Sequence, residues 1–336
     1  MTERLSRVHA RNLVAWAENR PDALVLSADL TSSCEADAFA QAYPDRFLSF
    51  GVAEQNMMSF AGGLAREGFT PLVHTFAVFL YRRAYDQLAM SIAYPHLNVK
   101  LFGFLPGITT PGGATHQAIE DVAILSALPN MTILECADAS DVESALDAAD
   151  SVDGPVYIRM LRGELPRLFS TPMRLGECRL SCEDTQADLL IVSSGACVEE
   201  ALRAAPALRR SGVSLIHAHV STLKPFPSQP ILELAARARL GVISLENHSI
   251  VGGLGSRIAE TLAEAGLSRK LTRLGLRDTF AHGGSKSYLM AAYGLDAMAL
   301  VRAAQAHMGA SLDIGPDDLA AVVIEPVHSA AKAEAL

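Results

Sequence analysis

Long apolar runs are missing from this chain. None approaches the ~18 residues that a membrane-crossing helix needs, so no membrane span is expected. Charge is sparse too: 19% of the residues are Asp, Glu, Lys or Arg, and the net charge is −9. With no basic stripe interleaved with aromatics, nucleic acid is not the expected partner. The N-terminus, Met1-Thr2-Glu3-Arg4-Leu5, lacks the charged-then-apolar plan of a signal peptide. Five cysteines (Cys34, Cys136, Cys178, Cys182 and Cys197) make an odd set without a CxxC pair, which points to reduced thiols in a cytoplasmic protein. Cys178 and Cys182 lack a second pair of ligands, so no metal site is assigned.

What is present is alternation. Half of the 336 residues are apolar, enough for two domains with full cores. A helix over residues 5 to 19 and a buried strand over 23 to 27 come first. A helix near Glu54, a strand over 71 to 74 and a helix from Thr75 to about Ala93 follow. A strand at 98 to 103 leads to a Pro/Gly-rich loop, a helix at 117 to 127, a strand at 131 to 135, a helix at 139 to 150 and a strand from Pro155. Residues 163 to 187, rich in Pro, Ser, Thr and charge, read as a linker. A second alternation opens at Ala187-Asp188-Leu189 and runs to about 307. The expected fold class is therefore α/β, with two domains that are each a mainly parallel sheet flanked by helices. The expected boundaries are 1–162, a linker at 163–187, 188–307 and a tail at 308–336.

The chain is organised around Phe47-Leu48-Ser49-Phe50-Gly51-Val52-Ala53-Glu54-Gln55-Asn56-Met57-Met58. Apolar residues recur after it at helical spacing, which puts Glu54 in a first turn, where the helix dipole favours negative charge. Gly62-Gly63 interrupts that helix, and such glycines are expected where another backbone packs close. G-V-A-E-Q-N-M followed by A-G-G-L-A resembles the signature of the pyrimidine-binding domain of transketolases and related thiamine diphosphate enzymes. The resemblance implies that Glu54 hydrogen-bonds N1′ of the cofactor's aminopyrimidine across a subunit interface. A carboxylate there shifts the ring toward its imino tautomer, which takes the proton from C2 of the thiazolium.

Further motifs carry the same likeness. S-A-D-L-T plus a Ser implies Asp29 near the cofactor and Ser33 on a substrate phosphate; read without it, both are ordinary loop and cap residues. T-F-x-x-F implies that Phe79 stacks on the aminopyrimidine with Phe76 beside it, although an i, i+3 aromatic pair by itself reads as core. In the loop Phe104 to Gln117, G-x-T-H-Q implies that His116 contacts the donor ketose. Its place beside the next helix start disfavours the imidazolium. P-V-Y-I-R followed by Arg162 implies a phosphate-binding guanidinium, with Arg4 or Arg7 as candidates for a second contact. His74 could lie near the site, but a lone His on an apolar strand is more often a satisfied core residue; Arg82 and Arg83 read as interface or surface charges. Two departures stand out: Gly112-Gly113 replaces the family's D-G pair, and Phe104 replaces a loop His. Both imply a less polar pocket.

S-T-L-K-P-F-P (221 to 227) and E-N-H-S-I-V-G-G-L-G-S (246 to 256) resemble the C-terminal domain that transketolases share with 2-oxo-acid dehydrogenase β subunits. The Gly252-Gly253-x-Gly255 run lacks both a P-loop Lys and dinucleotide spacing, so packing is its expected role. The G-D-G motif of the diphosphate-binding domain is absent from the sequence. The resemblance then implies the pyrimidine-binding and C-terminal half of a split transketolase. It would form an α2β2 heterotetramer with a separately encoded partner that holds Mg2+ and the cofactor's diphosphate. The implied reaction moves a two-carbon ketol unit from a ketose (phosphate) to an aldehyde. A β subunit of a 2-oxo-acid decarboxylase or dehydrogenase, a deoxyxylulose-phosphate-synthase-like enzyme and a non-catalytic binding subunit are the alternatives.

Overall fold

The computed structural model describes residues 3–319. The first domain runs β1 (Arg4–Ser6), α1 (Val8–Ala17), β2 (Ala23–Ser27), α2 (Asp37–Ala42), β3 (Phe47–Ser49), α3 (Glu54–Arg66) and β4 (Thr70–Phe76). It continues α4 (Ala77–Arg82), α5 (Tyr85–Leu88), a π-helical turn (Ala89–Ala93), β5 (Lys100–Phe104), α6 (Asp121–Ser126), β6 (Thr132–Glu135), α7 (Ala139–Asp150) and β7 (Val156–Met160). Strands β6, β7, β5, β4, β2 and β3 lie side by side in that order and run parallel. Their buried Val, Leu, Ile and Phe residues form near-continuous apolar runs, as a sheet covered on both faces requires.

After β8 (Glu164–Pro166), the second domain contains β9 (Cys178–Glu183), β10 (Ala187–Ser193), α8 (Cys197–Arg210), β11 (Leu215–Val220), β12 (Thr222–Lys224), α9 (Ser228–Arg237) and β13 (Ala238–Ser249). After these come α10 (Leu254–Glu264), β14 (Leu271–Leu276), α11 (Lys286–Ala292) and α12 (Ala297–Met308). Its sheet has the order β14-β13-β10-β11-β9, with only β9 antiparallel.

The segment expected as a linker carries two strands. β8 pairs with β1, and β9 closes the edge of the second sheet. β8 has three residues, and β9 is partly exposed at a sheet edge, so neither left an apolar period in the sequence. S-T-L-K crosses over instead: β12 adds antiparallel to β6 and makes the first sheet seven-stranded. The expected tail begins packed, because Leu312, Ile314 and Leu319 lie on the second core and Arg210 donates to the carbonyl of Asp318 at 2.6 Å. Its remainder, from 320, lies outside the described residues. Gly62 has the close backbone neighbour expected of it, since a Cβ there would lie 2.4 Å from the Ser91 carbonyl, whereas Gly63 faces open space. All five cysteines are free, and the three within helices or loops of the core are fully buried.

Candidate active-site cleft

Every residue singled out for the site follows the carboxyl end of a parallel strand, the edge at which open α/β sheets bind ligands. Asp29 and Ser33 follow β2, Glu54 follows β3, Phe76 ends β4, His116 follows β5 and Arg162 follows β7. Phe76 is therefore a strand residue and Phe79 a residue of α4, because the helix starts two residues later than expected. Their rings run nearly parallel, with centroids 5.9 Å apart. His116 meets both edge-on, at 5.3 Å from Phe79 and 6.5 Å from Phe76. Its Nδ1 is 2.9 Å from Thr115 Oγ1, which fixes the ring.

On the other side, the Arg162 guanidinium lies 5.7 Å from the Phe76 centroid and donates to the Ser33 carbonyl at 2.8 Å. The Gly163 amide donates in return to Glu35 at 2.8 Å, so two loops are laced together. Burial pushes the Glu35 carboxyl up, opposed by that amide and by the nearby Arg7 and Arg162. Asp29 sits on the same loop with a left-handed backbone (φ 59°) and stays exposed; none of these contacts reaches it.

Glu54 opens α3 and is 3% exposed, with Oε1 accepting from Arg83 at 2.8 Å. The same guanidinium stacks on Phe79, 4.0 Å from the ring centroid. Arg83 is thus no plain surface charge, and neither is Arg82. Arg82 grips both carboxylate oxygens of Glu120 (2.7 and 2.8 Å) and the carbonyls of Ala114 and Gln117, which ties down the far end of the Pro/Gly loop. Arg4 and Arg7, candidates for a second phosphate contact, pair with Glu164 and Asp37.

Two sequence expectations need correction, the helix start beside His116 and the place of Phe104, while the core reading of His74 holds. Helix α6 begins at Asp121, so His116 precedes it by most of a loop and lies outside the reach of its dipole. Phe104 is no pocket wall: it is fully buried against His9 and His74, with ring centroids 5.5 and 6.1 Å away. Of the two departures, only the glycine pair bears on the cleft. His74 is a core residue, its ring nitrogens meeting His9 Nε2 at 2.9 Å and the Leu72 carbonyl at 3.0 Å. Burial drops its pKa to about 4.

Asn247 of the second domain helps position the cleft, and no local motif announced it. Asn247 accepts from the Ile108 amide (2.9 Å) and donates to the Pro106 carbonyl (3.0 Å). Gly107 makes room for it, since a Cβ there would fall 2.2 Å from the Asn247 side chain. Arg159, buried between Asp121 and Glu135, donates to the Ala118 and Asn247 carbonyls at 3.2 and 3.0 Å. The loop that carries His116 is therefore pinned at both ends.

The donor set suits a flat nitrogen heterocycle. A buried carboxylate and an aromatic face converge on one planar N–H donor, which here is the Arg83 guanidinium, so a ring with a rim N–H meets the same two partners.

The fold and cleft define a two-domain α/β protein with a candidate carboxylate-and-aromatic site at strand ends. Residues 5–167 match the transketolase pyrimidine binding domain and residues 176–300 the transketolase C-terminal domain. The chain belongs to the transketolase family. It is 41% identical over 293 residues to an uncharacterised transketolase family protein of Sinorhizobium fredii (86% of this chain, 84% of the other). It is 39% identical over 295 residues to the 6-deoxy-6-sulfo-D-fructose transketolase subunit SqwH of a Clostridium species (87% and 90%). Among solved structures it resembles a split gene transketolase described as an inactive beta4 tetramer, with a TM-score of 0.80, 36% identity and 90% and 97% of the two chains covered. Family membership implies dependence on thiamine diphosphate. No helix among the described residues is long and apolar enough to cross a membrane.

Proposed function

We propose that this chain is the pyrimidine-binding subunit of a cytoplasmic split transketolase. It works with a separately encoded subunit that carries the diphosphate-binding domain and Mg2+, as an α2β2 assembly. The reaction is transfer of a two-carbon ketol unit from a ketose or ketose phosphate to an aldehyde. The observation that carries this reading is the convergence of Glu54, Phe79, Phe76, His116, Arg162 and the Ser33 loop on one edge of the sheet.

Thiamine diphosphate, held there, would supply an acidic carbon as the nucleophile toward the donor carbonyl. Glu54 accepts an N–H from the aminopyrimidine and holds the proton balance of that ring, a role an amide would not fill. Phe79 gives the ring its flat support and Phe76 backs it, while Asp29 lines the cofactor's side of the cleft. His116, clamped by Thr115 and backed by two aromatic edges, presents its imidazole to a hydroxyl or carbonyl of the donor. Arg162, held by the Ser33 carbonyl, binds an anionic end of the substrate with its planar fork, and Ser33 adds a hydroxyl there.

Reconstitution tests the proposal. This chain, mixed with the partner, thiamine diphosphate and Mg2+, should move a ketol unit from ketose phosphates to aldehydes and leave pyruvate unused. Turnover by this chain alone, or turnover of pyruvate in place of ketoses, would overturn it.

A further inference from the structure

Arg83 stands where the proposed site has no use for a cation. Its guanidinium touches the two groups assigned above to the cofactor ring, Glu54 Oε1 at 2.8 Å and the Phe79 face at 4.0 Å from its centroid. A guanidinium and an aminopyrimidine are alike in what those groups recognise, since each is planar, carries N–H donors at its rim and stacks on an aromatic face. Two such planes cannot use one carboxylate oxygen and one ring face together.

We propose that Arg83 competes with the aminopyrimidine ring for the seat between Glu54 and Phe79, and so sets the affinity of the assembled enzyme for its cofactor. This rests on the assignment of that seat to the ring.

The fold supports an arginine that can leave. Arg83 lies in the break between α4 and α5, and its side chain is 45% exposed. Its neighbour Arg82 is fixed by Glu120 and two carbonyls, so the two adjacent cations differ in freedom. The arrangement also gives Glu54 a partner in both states. A carboxylate only 3% exposed is costly to leave unpaired, and the guanidinium or the ring serves it in turn. When a group of the protein occupies the seat for part of the time, apparent affinity falls by the competent fraction.

Cofactor binding to the reconstituted complex, followed by titration calorimetry with thiamine diphosphate and Mg2+, reads this directly. Arg83→Met keeps an unbranched apolar stem and removes the planar donors, so the Kd should tighten about fivefold. Arg83→Lys, which can still pair with Glu54 but stacks poorly, should fall between the two. Raising the salt should shrink the gap between wild type and Arg83→Met, because the pair is half exposed. An unchanged or weaker Kd in Arg83→Met overturns the competition. Phe79→Ala serves as the control for the seat, with an expected loss of about tenfold or more in affinity. If Phe79→Ala binds normally, the ring sits elsewhere and the site assignment fails; if only the Arg83 variants miss their mark, the assignment stands and the competition does not.

Discussion

Two glutamates stand at helix N-termini near glycines, and they have opposite fates. Glu54 opens α3 after Gly51, and its side chain is held by that of a half-exposed arginine. Glu246 lies before α10, where its two oxygens accept from the Leu254 and Gly255 amides at 2.7 and 3.0 Å. The Gly252-Gly253-x-Gly255 run thus wraps a carboxylate of its own chain: a Cβ on Gly253 would lie 2.0 Å from Glu246 Oε2. The amides that could have cradled a phosphate are already bonded. A carboxylate held by backbone is committed to the fold, whereas one held by a half-exposed side chain remains open to an incoming group.

The sharpest break of this comparison is Glu54→Gln. In the reconstituted enzyme, turnover should fall by about 10²–10⁴-fold, the usual weight of a general acid–base group, while cofactor still binds. Stability of the chain should change by less than about 1 kcal/mol, because the lost pair is half exposed. Steady-state rates and urea unfolding on one preparation check both. Near-normal turnover would remove Glu54 from the chemistry.

The mirror-image change is Glu246→Ala. It strips the acceptor from two buried amides and should cost about 2–4 kcal/mol of stability, with little effect on the rate per folded molecule. The pH dependence separates the two sites further. Burial raises the Glu246 pKa from its ordinary 4.5 to about 8, against the pull of the two amides. Between those values the folded chain binds more protons than the unfolded one, so stability falls as pH rises from about 4.5 through 8. Glu246→Gln should flatten that slope in urea titrations at several pH values, and a slope that persists would assign it to another group.

The difference between the two glutamates was only partly legible in the sequence. The alternation of elements marked two parallel sheets, and Gly51 before Glu54 marked its helix start, because period and turn chemistry are local. The role of Arg83 was not legible, since its partners are Glu54 from another helix and Phe79 one turn back. Asn247 and Arg159 were missed for the same reason: Asn247 of the second domain bonds Ile108 and Pro106 of the first, and Arg159 of the first bonds the Asn247 carbonyl. Phe104 misled because its place at a loop start says nothing about the His9 and His74 rings that bury it. Strands β1, β8 and β12 escaped because three residues at an edge carry no period.

The smallest effect, and the one that best tests how soft the cleft is, belongs to Gly112. A Cβ there would sit 3.0 Å from His116 Cβ and Cγ, tight enough to push a half-exposed ring aside by a few tenths of an ångström. In Gly112→Ala the donor KM should rise about two- to fivefold, with kcat nearly constant and stability within about 0.5 kcal/mol of wild type, because only the aim of His116 changes. Gly253→Ala, pressed against the committed Glu246, should instead lose stability and keep its KM. If Gly112→Ala leaves the donor KM untouched, His116 does not contact the donor, and the substrate end of the cleft must be sought nearer Arg162.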